Sequence, residues 1–207
     1  MPPADQTSAS PGPRRRADAE RSVARILEAA VDALAGDPDA SMGEIARQAG
    51  VVRATIYVHF PTREALIAAV TQRAITEATA AIEASEPQRG DAAEALARVV
   101  ETAWRTLGRY HALVAINTRL PHDELRARHH ALLAELEPLI ARGQREGSFR
   151  SDVPAAWHLA TLLALVHAAS GELRAGRMTE AEAGSALVAT VLGAVSGEGG
   201  IRTLGRG

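Results

Sequence analysis

The chain contains no cysteine, which excludes disulfides, thiolate nucleophiles and cysteine-ligated zinc or iron–sulfur sites, and fits a reducing compartment. Lysine is absent too: all 23 basic residues are arginine, a mark of genomic composition first and of bidentate phosphate binding only second. No apolar run reaches the length of a bilayer span, and the N-terminus lacks the apolar stretch of a signal peptide, so a cytoplasmic protein without a membrane partner is expected. Charge of one sign is lacking as well. With a net charge of -2, any nucleic-acid role must rest on a local patch rather than on bulk attraction. Catalytic signatures are missing: no Ser-His-Asp motif, no glycine-rich phosphate loop and no Glu-x-x-His pair. His122, His129 and His130 lie close in sequence, but helical neighbours point about 100 degrees apart, so surface histidines explain them better than joint metal ligands. No cofactor or enzymatic activity is expected. What remains is a chain of 207 residues, 46% hydrophobic, able to bury a core as one large or two small domains.

The most informative absence is local. From Gln48 to Arg63 there is no acidic residue. The surrounding stretch, Ser41 to Leu66, reads as two short helices joined at a glycine and followed by the start of a third. Ser41 and Glu44 have capping-box spacing, so a helix starts near Met42 and lays Ile45, Ala46 and Ala49 on one face. Gly50 can take the left-handed conformation of a tight inter-helix turn. Val51 and Ile56 then plug the angle, leaving Arg53, Ala54, Thr55, Tyr57, Val58 and His59 outward. A short helix presenting Arg, Thr, Tyr and His without a carboxylate suits a polyanion, since each can donate to phosphate oxygens. A merely solvated helical hairpin is the alternative.

These residues resemble the TetR-type bacterial transcriptional repressors. The family pattern is matched by Ile45 and Ala46, by Ala49, Gly50 and Val51, by Thr55, Ile56, Tyr57, Val58, His59 and Phe60, and by Thr62, Arg63, Glu64, Ala65 and Leu66. Spacing and residue class are satisfied along the whole pattern, which makes it specific. Two positions depart from it. Val52 stands where the family generally has a serine or threonine cap, at a cost of about 1 kcal/mol. Val58 replaces a frequent basic or aromatic residue, and its methyls suit a thymine methyl instead.

The resemblance implies an all-α fold of about nine helices: a three-helix helix-turn-helix domain, then a helical effector-binding and dimerisation domain. The corresponding division is a disordered basic arm over 1–17, a DNA-binding domain over 18–66, a second domain over 67–197 and a flexible tail over 198–207. Arg14, Arg15 and Arg16 would reach from the arm toward a minor groove, or act only by charge. One amphipathic helix is expected over Asp18 to Ala35, and another from a Thr62 cap to about Ala84, with Arg63 clamping a phosphate at its first turn. Asp91 opens a helix through Leu107, a short segment spans His111 to Ile116, and Pro121 starts a long helix through Ile140. Arg142 to Asp152 reads as a polar loop, similar to one the family carries with an aromatic, here Phe149.

Two final helices, after Pro154 and Thr179, are apolar on more than one face, so the same pair from a second subunit is the economical partner. Ala164, Ala168, Leu187 and Val191 are the expected dimer contacts. Trp104, His111, Asn117, Trp157, Thr161 and His167 are the candidates to line an effector pocket, although tryptophan and a lone histidine on such faces are often plain core. The implied protein is a homodimeric repressor that binds a palindromic operator in double-stranded DNA and is released by an apolar or weakly polar small molecule. A helical carrier that has lost DNA binding and a helical enzyme are the rivals.

Overall fold

The computed structural model describes residues 13–117 and 121–197. Ten α-helices and one 3-10 turn are found there: α1 Pro13–Gly36, α2 Met42–Gln48, α3 Arg53–His59, α4 Arg63–Ala84, α5 Ala92–Thr106, the turn Gly108–Tyr110, α6 His111–Asn117, α7 His122–Arg128, α8 His130–Glu146, α9 Ala155–Arg174 and α10 Glu180–Val195. None is long and apolar enough to cross a membrane.

Helix ends follow local chemistry. Ser41 and Glu44 form the capping box of α2, and Thr179 and Glu182 repeat it on α10. Thr62 accepts from Ala65 N at 3.1 Å to cap α4, and Asp91 accepts from Ala93 and Glu94 N to cap α5. Gly50, at φ 65, turns α2 into α3, a conformation that a Cβ resists.

Two cores form. The first gathers Ile26, Ala30 and Leu34 of α1, Ile45 and Ala46 of α2, Ile56 of α3, and Leu66, Val70 and Ala74 of α4, with Tyr110 and Leu113. The second gathers Ile82, Leu96, Val99, Trp104, Leu136, Ile140, Leu159, Leu187 and Val191 with their neighbours. A polar lattice ties the first core to the turn ahead of α6. Glu28 pairs with Arg109 and with Arg73 (3.0 Å), Arg73 also binds Glu77 (2.9 Å), and the Tyr110 hydroxyl donates to Glu77 at 2.8 Å. Burial and the adjacent Glu77 push the Tyr110 hydroxyl up to about 12, so it stays a donor.

Three expectations change. Helix α1 starts at Pro13, so Arg14, Arg15 and Arg16 stand in its first turns rather than in an extended arm; residues 1–12 and 198–207 lie outside the described residues. The helix expected after Pro121 is two, broken at His129. Arg142 and Gly143 belong to α8, not to a loop. Arg142 donates to the carbonyls of Pro87, Gln88 and Gly90, stitching the α4–α5 connection to α8. Gly143 is a bed for the Phe149 ring: a Cβ there would stand 2.1 Å from Phe149 Cδ2.

Gly143→Ala should therefore destabilise the fold by about 1–3 kcal/mol through overpacking, despite the better helix propensity of alanine. Chemical denaturation of the two proteins measures it, and a stabilised variant would show that Phe149 moves aside freely.

Candidate nucleic-acid interface and interior cavity

Helix α3 is held from behind and bare in front. Ile56 is fully buried, and Phe60, at the helix end, is anchored in the first core, so the orientation of α3 is fixed by packing. Outward stand Arg53, Ala54, Tyr57 and Val58, the last 78% exposed, with Thr55 and His59 half-buried at the edges. The Arg53 guanidinium lies over the Tyr57 ring, 5.8 Å from its centre, which aligns two donors on one surface. No side chain caps α3 at Val52, itself 70% exposed, and in the first turn the Thr55 amide donates to Val52 O at 2.9 Å.

Arg63 is placed differently from expectation. Its guanidinium turns back under the hairpin and donates to the carbonyls of Ala40 and Pro38, pinning the α1–α2 connection to the start of α4. It serves as a strut for the reading head.

An interior cavity lies where α4, α5, α6, α8 and α9 meet, with about 70 Å³ of free space. Ile75 and Ala78 of α4, Val99 and Ala103 of α5, Leu113 of α6, Leu133 of α8 and Leu162 of α9 give it hydrocarbon walls. Thr71, Asn117, His129 and His167 supply its polar atoms, and among the described residues no acidic or basic chain lines it. Of the six residues proposed from sequence, Asn117 and His167 line this cavity. Trp104 and His111 stand outside its wall: the Trp104 indole donates to Glu180 O at 3.1 Å, and its ring stacks on His111 with centres 4.1 Å apart. Trp157 and Thr161 lie elsewhere, on the outer face of α9, where Trp157 is 61% exposed and the Thr161 hydroxyl is spent on Trp157 O. Sequence reasoning placed His129 on the surface. The break between α7 and α8 turns it inward instead, its Nδ1 donating to Leu125 O at 2.8 Å and its ring edge-on to His167.

The proposed dimer contacts also divide. Ala164 and Ala168 are exposed, whereas Leu187 and Val191 are buried within the subunit against α5 and α9. The outer face of α10 is Ser185, Ala186, Ala189, Thr190 and Gly193.

Two buried histidines, His111 and His167, and the half-buried His129 set a pH dependence. Burial pulls the His111 imidazole down to about 4, and His129 and His167 are pulled down by burial as well. Burial holds each toward its neutral form, while in the unfolded chain the rings take up a proton near the ordinary value of 6.5. Between those values the unfolded state binds more protons, so stability is complete above pH 6.5 and falls as the pH drops toward about 4. Carboxylates such as Glu28, held down by its bond to Arg109, add their own loss only below their ordinary value of 4.5. The melting temperature should fall between pH 7 and pH 5, and less so in His111→Phe; equal melting at both pH values would show that the rings titrate without cost.

The model for bacterial regulatory proteins of the tetR family matches residues 26–70, the first core and the reading hairpin. Over 83 residues the chain is 41% identical to the HTH-type transcriptional repressor LfrR of Mycolicibacterium smegmatis, a match that covers 40% of this chain and 44% of that repressor. An uncharacterised HTH-type transcriptional regulator of Mycobacterium bovis is 30% identical over 175 residues, 81% of this chain and 88% of the relative. The crystal structure of LfrR in complex with proflavine superposes with a TM-score of 0.65 at 27% identity, covering 86% of this chain and 98% of that one. Kinship that reaches over most of both chains settles the assignment: the chain belongs to the TetR family of bacterial regulatory proteins, and is a DNA-binding transcriptional regulator rather than an enzyme.

Proposed function

We propose that the protein is a homodimeric repressor that binds a palindromic operator and releases it when a small molecule fills the interior cavity. The observation that carries this reading is α3 itself: an acid-free helix, fixed from behind by Ile56 and Phe60, that presents Arg53, Ala54, Thr55, Tyr57, Val58 and His59 to a major groove. Arg53, Thr55, Tyr57 and His59 donate to phosphates or base edges, and Val58 and Ala54 make apolar contact. A backbone phosphate at the first turn of α3 replaces the cap that Val52 does not provide. Arg14, Arg15 and Arg16, in the first turns of α1, add positive charge that would act at the DNA backbone.

Dimerisation is supported by the outer faces of α9 and α10. Trp157, Thr161, Ala164 and Ala168 form one stripe on α9, and Ser185, Ala186, Ala189, Thr190 and Gly193 cover α10, with no charged residue among them. Two such faces, packed about a two-fold axis, make a four-helix interface and set the spacing of two reading heads. The cavity supports the effector part. It lies against the middle of α4, and the related LfrR has been crystallised with proflavine. A ligand that fits one arrangement of α4 and α6 better than another shifts the heads away from consecutive grooves.

Fluorescence anisotropy against duplex from the protein's own upstream region, at two salt concentrations and beside a scrambled duplex, tests the reading. Selective binding that weakens with salt is expected; no binding to either duplex moves weight to a carrier. Tyr57→Phe should weaken binding by about 1 kcal/mol with the melting temperature unchanged. Arg63→Ala, by contrast, should lower the melting temperature first, because it orphans two carbonyls. On the other face, Ala168→Glu should convert the dimer to a folded monomer in sedimentation and abolish operator binding; an intact dimer would locate the interface elsewhere.

A further inference from the structure

The polar atoms of the cavity are almost all committed. Asn117 Nδ2 donates to Thr71 Oγ1 at 3.2 Å, and that hydroxyl donates in turn to Ile67 O at 2.8 Å. His129 Nδ1 faces Leu125 O, and His167 Nδ1 faces Val114 O at 3.2 Å. A carbonyl oxygen only accepts, so in both neutral rings the proton sits on Nδ1, and Nε2 is left as a bare lone pair. Burial, reinforced by His129, keeps His167 in that neutral form. The consequence is specific to His167. Its side chain is 8% exposed, its ring lines the cavity, and its buried Nε2 has no partner among the described residues.

What the cavity lacks is therefore a hydrogen-bond donor for these two Nε2 atoms, of which the His167 one is the more deeply buried. Such a donor cannot come with a charge at low cost. Among the described residues no carboxylate lines the space to compensate a cation, and no guanidinium to compensate an anion, so either would give up its hydration for nothing. The rest of the surface offered to a guest is hydrocarbon. The free space is small, about 70 Å³, less than a single aromatic ring needs, so a ring enters only as the leucine walls move apart, and a larger guest is disfavoured.

We propose that the cavity selects a small, uncharged, largely hydrocarbon molecule bearing one hydroxyl or N–H group, of the alkylphenol type, and that His167 Nε2 is the acceptor that reads this donor. The inference rests on the effector-cavity reading above and adds the chemistry of the effector to it. His167 also holds α9 to α6 through Val114 O, so a guest bonded to the ring touches the element that adjoins both α1 and α4.

The test is calorimetric titration of the full-length protein with 4-ethylphenol, its methyl ether 4-ethylanisole and benzylammonium, repeated on His167→Phe and His167→Gln. The phenol should bind about tenfold more tightly than the ether, which has the same body and no donor, and benzylammonium should bind least. His167→Phe should bring phenol and ether to within about twofold of each other, and His167→Gln, which retains an acceptor, should recover part of the preference. In protein labelled with 15N-histidine, the Nε2 resonance of His167 should move on adding the phenol but not the ether, a signature that a merely structural role would not produce. Equal binding of phenol and ether to the natural protein, an unchanged preference in His167→Phe, or tighter binding of benzylammonium overturns the donor reading and leaves the cavity as a binding site. Failure of all three probes to bind the folded protein overturns both.

Discussion

Helix α4 has to serve two cores at once. Leu66, Val70 and Ala74 lie in the first core and Ile82 in the second, while Thr71, Ile75 and Ala78 between them wall the cavity. Its 22 residues span about 33 Å without a glycine or proline to absorb a bend. A change of shape in its middle therefore cannot be local. It is either resisted by both cores or carried to both ends, and one of those ends bears the reading hairpin. Empty space beside the middle of such a helix is a point of leverage in a way that a surface cleft would not be.

The polar lattice of Glu28, Arg73, Glu77, Arg109 and Tyr110 gives that leverage a second arm. It joins α1 and α4 to the turn that leads into α6, and α6 carries His111, Val114 and Asn117, which touch α9 and the cavity. The individual ion pairs are half-exposed and worth little as stabilisers. Their value is geometric: the Tyr110 hydroxyl, buried and always protonated, fixes the height of α6 against α4 by one bond. The same design recurs at the strut. Arg63 spends its charge on two carbonyls of the α1–α2 connection, so the hairpin is held at both α4 and α1 before any DNA is present.

How much of this the sequence disclosed depended on the range of the interactions. The hairpin was legible because its determinants are local: a capping box from Ser41 to Glu44, a glycine with positive φ, and an apolar triplet on one face. Gly143 misled for the opposite reason. A glycine in a polar run signals a loop, yet here it is the absence of a Cβ under Phe149, six residues on, that matters. The break at His129 carries no glycine or proline, so one helix was expected where there are two, and a cavity histidine was taken for a surface one. Arg63 could not be assigned from its motif, since its partners lie more than twenty residues away. Helices α9 and α10 were recognisable as apolar all round, but which stripe meets the subunit's own core is a tertiary question. Leu187 and Val191 answered it inward, and the alanines outward.

The two tryptophans occupy opposite kinds of place. Trp104 is 4% exposed, its indole N–H is bonded to Glu180 O, and it rests on Gly184 and against His111; Trp157 is largely open on the outer face of α9. The molecule thus carries two natural optical reporters with separable emission, one blue-shifted in hydrocarbon and one red-shifted whenever the outer face of α9 is open to water. The first senses the wall that backs α6, and the second senses whatever covers α9. Because neutral imidazole quenches indole far less than imidazolium does, the inner reporter stays bright as long as His111 remains unprotonated. The colour of the emission can therefore distinguish an event inside one subunit from an encounter between two.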